Sequence, residues 1–205
     1  LDYEAFDSMA VRSLTTICSE IEASIAGARL AVIHRVGSLA IDMLAARGYQ
    51  VTALTGKESE RDYLLRLGAS EVMLRSQLDT TRIRPLDRTL WAGAADNLGG
   101  DVLAWMARTM RQGGTIASIG LAASHELKTT VMPFILRGAC LLGVDSGYIG
   151  EPYRSGVWQR LASDLRPQHL QQMTRTIAFD DLPQVFADFI RGHAHGRVVV
   201  AIAGS

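Results

Sequence analysis

From about Ser8 to Ala26 apolar residues recur at helical spacing, at Met9, Val11, Leu14, Ile17, Cys18, Ile21 and Ile25, and predict an opening amphipathic helix. The continuous run Leu30 to Ile33 predicts a short buried strand. Gly37-Ser38 then opens a helical pattern through Leu39, Ile41, Met43, Leu44 and Ala45, which Gly48 stops. Tyr49 to Leu54 repeats the strand, Thr55-Gly56-Lys57-Glu58-Ser59 the connection, and Arg61 to Leu67 the helix, ended by Gly68.

Glu71 to Leu74 reads as a third strand, and Gly93-Ala94-Ala95-Asp96-Asn97 as the end of a fourth, with a polar connection between them. Val102, Leu103, Trp105, Met106 and Met110 predict a helix from Asp101 to Met110, which Gly113-Gly114 terminates before a strand Thr115 to Ile119, ended by Gly120. A sixth apolar run, Ala139 to Val144, follows the segment Val131 to Arg137. Amphipathic helices are expected around Ser155 to Asp164 and Asp181 to Ile190, and a last strand over Arg197 to Ile202.

Strands that are apolar throughout must be covered on both faces, and crossover helices joining parallel strands achieve this. The pattern therefore predicts a doubly wound α/β fold, a six-stranded parallel sheet with helices on both faces. Residues 1-205 read as a single domain, with 192-205 as a returning C-terminal strand. In such sheets a ligand crevice opens at the carboxyl ends of the strands, where the strand order reverses. A site is expected after Ile33, Leu54, Asn97 and Gly120.

Composition narrows the function classes. Twenty-one basic side chains balance 21 acidic ones over 205 residues. No global basic field exists to hold a phosphate backbone or an anionic membrane, which argues against nucleic acid as a partner. No apolar stretch reaches bilayer-spanning length, and the acidic start Leu1-Asp2-Tyr3-Glu4 lacks a positive n-region, so a cytoplasmic location is expected. Cys18 and Cys140 are far apart, lie among apolar residues, and are expected to be buried free thiols.

Several longer stretches carry a family resemblance. Gly48-Tyr49-Gln50-Val51-Thr52-Ala53-Leu54-Thr55-Gly56-Lys57-Glu58-Ser59, the run Trp91 to Leu103, Thr129 to Gly138 and Leu142-Gly143-Val144-Asp145-Ser146 resemble the acryloyl-CoA reductase or quinone oxidoreductase branch of the medium-chain dehydrogenase/reductase superfamily. The resemblance extends from about Met9 to Ile202. It implies a Rossmann domain that binds NADPH, with the family's GroES-like catalytic domain absent from this sequence. It further implies a homodimer in which the edge run Ala139 to Val144 pairs with its copy; an alternative is an edge covered by the helices after Pro152.

A dinucleotide site needs a glycine-rich turn between the first strand and its helix, because backbone must approach the pyrophosphate closely. The family usually reads along the lines of T-G-A-S-G-G-V-G-S here. This chain has Val32-Ile33-His34-Arg35-Val36-Gly37-Ser38, which leaves Gly37 and Ser38 as the phosphate-facing candidates and puts bulky His34 and Arg35 where phosphates need room. Arg35 reads either as a charge that neutralises phosphate or as a solvated loop cation. Thr55 and Lys57 stand where a 2′-phosphate ligand belongs, and no acid ends that strand; Lys57 also reads as a surface lysine at a helix start. The resemblance places Asn97, Gly120, Leu121 and Ala122 near the ribose and nicotinamide, and Arg197 near the coenzyme; otherwise they turn the chain and cap a strand. Gly99-Gly100 read as helix-boundary glycines.

No residue is assigned a catalytic or metal-ligand role. Asp96, Asp145, Asp180 and Asp181 lack a companion carboxylate at a working spacing, and His193-Ala194-His195 lies in a glycine-flanked turn with no third ligand evident. Two functions remain open. One is an NADPH-dependent reductase, present as its nucleotide-binding domain and impaired in coenzyme binding by the altered turn. The other is a non-catalytic relative that serves dimerisation, assembly or regulation.

Overall fold

The structure is a computed structural model and describes residues 29–33, 37–81, 84–145, 148–191 and 196–202. The helix expected over Ser8 to Ala26, and Cys18 with it, lies outside these residues. Contacts along the chain group into two units, residues 1–167 and 168–205.

In the first unit β1 (Arg29–Ile33) lies at the centre of a sheet with β2 (Gln50–Thr55) on one side and β4 (Trp91–Asp96) on the other. Leu30, Ala31 and Val32 are all buried, as a strand flanked on both faces requires. Helix α1 (Gly37–Ala46) follows β1, and Gly48, at φ +82°, lets the chain turn back into β2. Helix α2 (Arg61–Arg66) leads to β3 (Glu71–Leu74) at one edge. The chain then returns past β1 to β4, and continues through α3 (Gly100–Thr109), β5 (Met110–Ser118), α4 (Met132–Arg137) and β6 (Cys140–Gly143). Among the described residues the order is β3-β2-β1-β4-β5-β6 with every pairing parallel, which is the doubly wound sheet that the pattern predicts. Right-handed crossovers that step outward from β1 in opposite directions place their helices on opposite faces.

The core of this unit gathers on α3, β4 and β5. Trp91 and Trp105 meet edge to face, 6.0 Å between centroids, against fully buried Met106, Met110 and Ile116. Arg29 lies over the Trp91 ring at 5.4 Å and pairs with Glu71 at 2.6 Å, which ties the starts of β1 and β3.

Two expectations are corrected here. Gly113-Gly114 do not end a helix: α3 stops at Thr109, and both glycines lie inside β5. Trp91 stands opposite Met110 and Gly93 opposite Thr115, so Arg111 to Gly114 bulge out against Ala92. Gly113 takes φ +67°, and a Cβ on Gly114 would lie 2.6 Å from Met110 Cε and 3.0 Å from the Ala92 carbonyl, so the bulge needs this pair. Cys140 is a free thiol as expected, but it is exposed, as the first residue of β6 at the edge of the sheet.

Helix α5 (Tyr153–Ala162) closes the first unit. In the second unit β7 (Thr174–Ala178) and β8 (Arg197–Ala201) form a parallel pair, with α6 (Leu182–Ile190) between them in sequence. β8 is the returning strand of the sequence, and β7 has no counterpart in the hydrophobic pattern.

Candidate functional site

The sheet reverses its order between β1 and β4, so the connections that leave their carboxyl ends run in opposite directions, and a crevice opens there, bounded by the ends of β2 and β5. Gly37 and Ser38 form the first turn of α1 and are buried. A Cβ on Gly37 would approach Val32 Cγ1 to 3.2 Å, so bare backbone lets the helix start close against β1. No acidic residue occupies that first turn, and its amide end keeps its partial positive charge. His34, Arg35 and Val36 lie outside the described residues.

Thr55 is the buried last residue of β2, and its Oγ1 accepts the Lys57 amide at 3.2 Å, closing a tight turn around Gly56. Lys57 is exposed. Glu58, the next residue, is drawn into an ion pair with Arg61 at 2.6 Å.

Asn97 follows β4 and is buried, and its main-chain carbonyl accepts the Ala122 amide at 3.2 Å. Gly120 passes so close to Asn97 that a Cβ there would lie 3.1 Å from the same carbonyl. Leu98 likewise accepts the amides of Ala123 and Ser124, at 2.9 and 3.2 Å. Leu121 and Ala122 are exposed on this stitched pair of loops. Gly99 and Gly100 mark a helix boundary, as expected: Gly99 caps α3, both have positive φ, and a Cβ on Gly99 would sit 2.2 Å from the Ser124 carbonyl.

Asp96, the last residue of β4, is fully buried and fixes this turn. Its carboxyl group accepts the Leu98 amide at 3.1 Å and the Gly99 amide at 3.1 and 3.2 Å. Burial pushes its pKa up to about 6 against the lowering effect of those hydrogen bonds. The sequence gives no sign of this, since the acid lacks a charged companion.

The sequence-derived residues thus fall into three groups along one edge of the sheet: Gly37 and Ser38 after β1, Thr55 and Lys57 after β2, and Asn97, Gly120 and Leu121 after β4 and β5. Arg197, the first residue of β8 and partly buried, belongs to the second unit. Arg75, which follows β3 and comes within reach of Gly56, was not indicated by the sequence pattern. The His193-Ala194-His195 turn lies outside the described residues. Among those residues no group of three His, Cys, Asp or Glu side chains is arranged to hold a metal ion, and no helix is long and apolar enough to cross a membrane.

A parallel sheet reversed at β1 and β4, with bare backbone and an uncancelled helix amide end at the reversal, defines a Rossmann-like α/β domain. The pattern of the zinc-binding dehydrogenase family matches residues 36–163. A second pattern, that of the MoaE protein, matches residues 1–45. The acrylyl-CoA reductase AcuI of Ruegeria pomeroyi is 43% identical over 169 residues, 82% of this chain and 51% of the relative. The yhdH oxidoreductase of Salmonella enterica, solved in complex with NADP, superposes with a TM-score of 0.89 at 36% identity, covering 97% of this chain and 61% of that one. The Bacillus subtilis protein yhfP, solved with NAD bound, gives 0.88 at 34% identity, covering 96% and 61%. The chain belongs to the zinc-binding dehydrogenase family, in the acryloyl-CoA reductase and quinone oxidoreductase branch of the medium-chain dehydrogenase/reductase superfamily. It spans about half the length of the curated relatives it matches.

Proposed function

We propose that this chain is the NADPH-binding part of a reductase that acts on the carbon–carbon double bond of an acyl-CoA thioester or on a quinone. The observation that carries this reading is the end of β2. Thr55, Gly56 and exposed Lys57 stand there without an acid, which suits a phosphorylated ribose and disfavours the paired hydroxyls of NADH. The Salmonella relative crystallised with NADP supports it. The coenzyme, when bound, supplies the hydride.

The residues present fit such a group at three places. The amide end of α1 at Gly37 and Ser38 would face the phosphates, and Lys57 with the Thr55 turn would hold the 2′-phosphate. Asn97, Gly120 and Leu121 would line the ribose and nicotinamide side, where the close approach of Gly120 to Asn97 keeps the wall flat. Choice of substrate is assigned to the part of the relatives outside the match. A second copy of the chain, paired along β6, completes the assembly.

One observation favours a second reading, a non-catalytic module with weakened coenzyme binding. The dehydrogenase pattern begins at residue 36, whereas the MoaE pattern covers residues 1–45. The turn Val32 to Gly37 therefore falls where the two patterns meet, and it has a single glycine. Thermal unfolding with increasing NADPH separates the readings. At a hundredfold excess over Kd the coenzyme adds about 2.7 kcal/mol and raises Tm. Unchanged unfolding in millimolar NADPH would leave the second reading standing.

A further inference from the structure

The end of β4 carries an acid that has no part in the coenzyme contacts given above. Asp96 is fully buried and stands directly before Asn97, behind the turn that forms one wall of the crevice. Both of its oxygens face that turn. Oδ1 accepts the Leu98 amide at 3.1 Å and the Gly99 amide at 3.2 Å, and Oδ2 accepts the Gly99 amide at 3.1 Å. The Asp96 main-chain carbonyl accepts the Ile119 amide at 2.7 Å, so the same residue also holds the start of the facing connection.

Among the described residues no cation pairs with this carboxyl group. β1, β5 and α3 pack against β4, and the connection after β5 is bonded to its end. On β1 the charged residue is Arg29, at the opposite end of the strand and paired with Glu71. On β5 it is Arg111, inside the bulge. On α3, Asp101 is exposed, and Arg108 in the last turn donates to the Asp79 carbonyl. The connection carries exposed His125 and the pair Glu126 and Lys128, joined at 2.9 Å.

A buried charge without a counter-ion is costly, and a carboxyl group so placed takes up a proton readily. The pKa of Asp96 is accordingly raised to about 6, with burial as the larger cause and the two amides opposing it. A ligand seated on Asn97, Gly120 and Leu121 replaces the water on the far side of the turn with less polar material. A dinucleotide also brings the negative charge of its phosphates. Both act against the ionised form.

We propose that binding at this crevice is proton-linked through Asp96: a dinucleotide seated against Asn97, Gly120 and Leu121 draws a proton from solvent onto the buried carboxyl group. This rests on the coenzyme reading given above, and the test separates the two. Binding of oxidised NAD and NADP is measured by calorimetry on the wild-type chain and on Asp96→Asn between pH 5.5 and pH 8. NAD has no phosphate monoester that titrates in this range, and for NADP the comparison with the variant cancels that of the ligand. Wild-type affinity relative to that of Asp96→Asn is expected to fall roughly fivefold from pH 5.5 to pH 8. At pH 6.5, buffers of different ionisation enthalpy are expected to show wild type taking up about half a proton per NAD bound, and the variant none. A purely structural role would change affinity by the same factor at every pH, with no proton uptake. If wild type binds with the same pH profile as Asp96→Asn, or releases protons on binding, the linkage is overturned and the coenzyme reading survives. If wild type binds neither dinucleotide, both fail.

Discussion

Arg137, at the end of α4, donates to the main-chain carbonyl of Arg108 in the last turn of α3 at 2.8 Å. The same nitrogen reaches the Met110 carbonyl at 2.9 Å, and the other terminal nitrogen donates to the Asp87 carbonyl. Carbonyls at a helix end have no intrahelical donor, and one guanidinium here serves that of Arg108, together with the Met110 carbonyl at the start of β5, and anchors the connection that precedes β4. Removing it by Arg137→Ala is expected to cost about 2 kcal/mol, with Arg137→Lys recovering part of that, as measured by urea unfolding.

The raised pKa of Asp96 makes stability depend on pH. An aspartate has a pKa near 3.9 in the unfolded chain and about 6 here, so the folded state holds its proton more tightly. The stabilisation is fully present below about pH 4 and is lost as pH rises through 6, on the order of 3 kcal/mol in all. Asp96→Asn cannot ionise. Its unfolding free energy relative to wild type is expected to rise by that order between pH 4 and pH 7.5, and a difference that does not change with pH would refute the assignment.

Two glycines with nearly the same φ should respond very differently to substitution. Gly99→Ala drives a methyl group into the Ser124 carbonyl and is expected to destabilise by roughly 3 kcal/mol or more. Gly113→Ala meets nothing within 4 Å, which leaves the backbone cost of roughly 1 kcal/mol. Thermal melts of both variants check the contrast.

Among the described residues β6 is paired on one side only, and Ile135 and Leu136 of α4 are exposed nearby in sequence. Sedimentation is expected to give twice the chain mass, and Leu142→Lys to give the monomer with Tm little changed, since a charge on an edge strand blocks edge-to-edge pairing. A monomeric wild-type chain would remove the proposed assembly.

Much of the sheet was legible because its central strands are buried on both faces, as Leu30 to Val32 of β1 show. At the edge, Val72-Met73-Leu74 still forms a short apolar run, and β3 has the predicted bounds although of its residues only Val72 is buried. β7 was not legible: of Thr174 to Ala178 only Ile177 is buried, so the strand carries almost no hydrophobic signal. The glycine pair at 113 and 114 misled for a different reason, since glycine marks a bulge as readily as a helix end. At the candidate site, local motifs gave Thr55 and Lys57. Arg75 could not be found that way, because its proximity to Gly56 follows from the alignment of β2 with β3, which sets Thr55 opposite Leu74 with 18 residues of chain between them.

The main-chain bonds from Ala122, Ala123 and Ser124 to Asn97 and Leu98 join two connections that are distant along the chain into one piece of wall. Neither can retreat from the crevice without dragging the other. Solvent should therefore reach the amides of Ala122 to Ser124 in the same opening event that frees Leu98 and Gly99, and whatever settles against Leu121 would slow isotope uptake in both segments together.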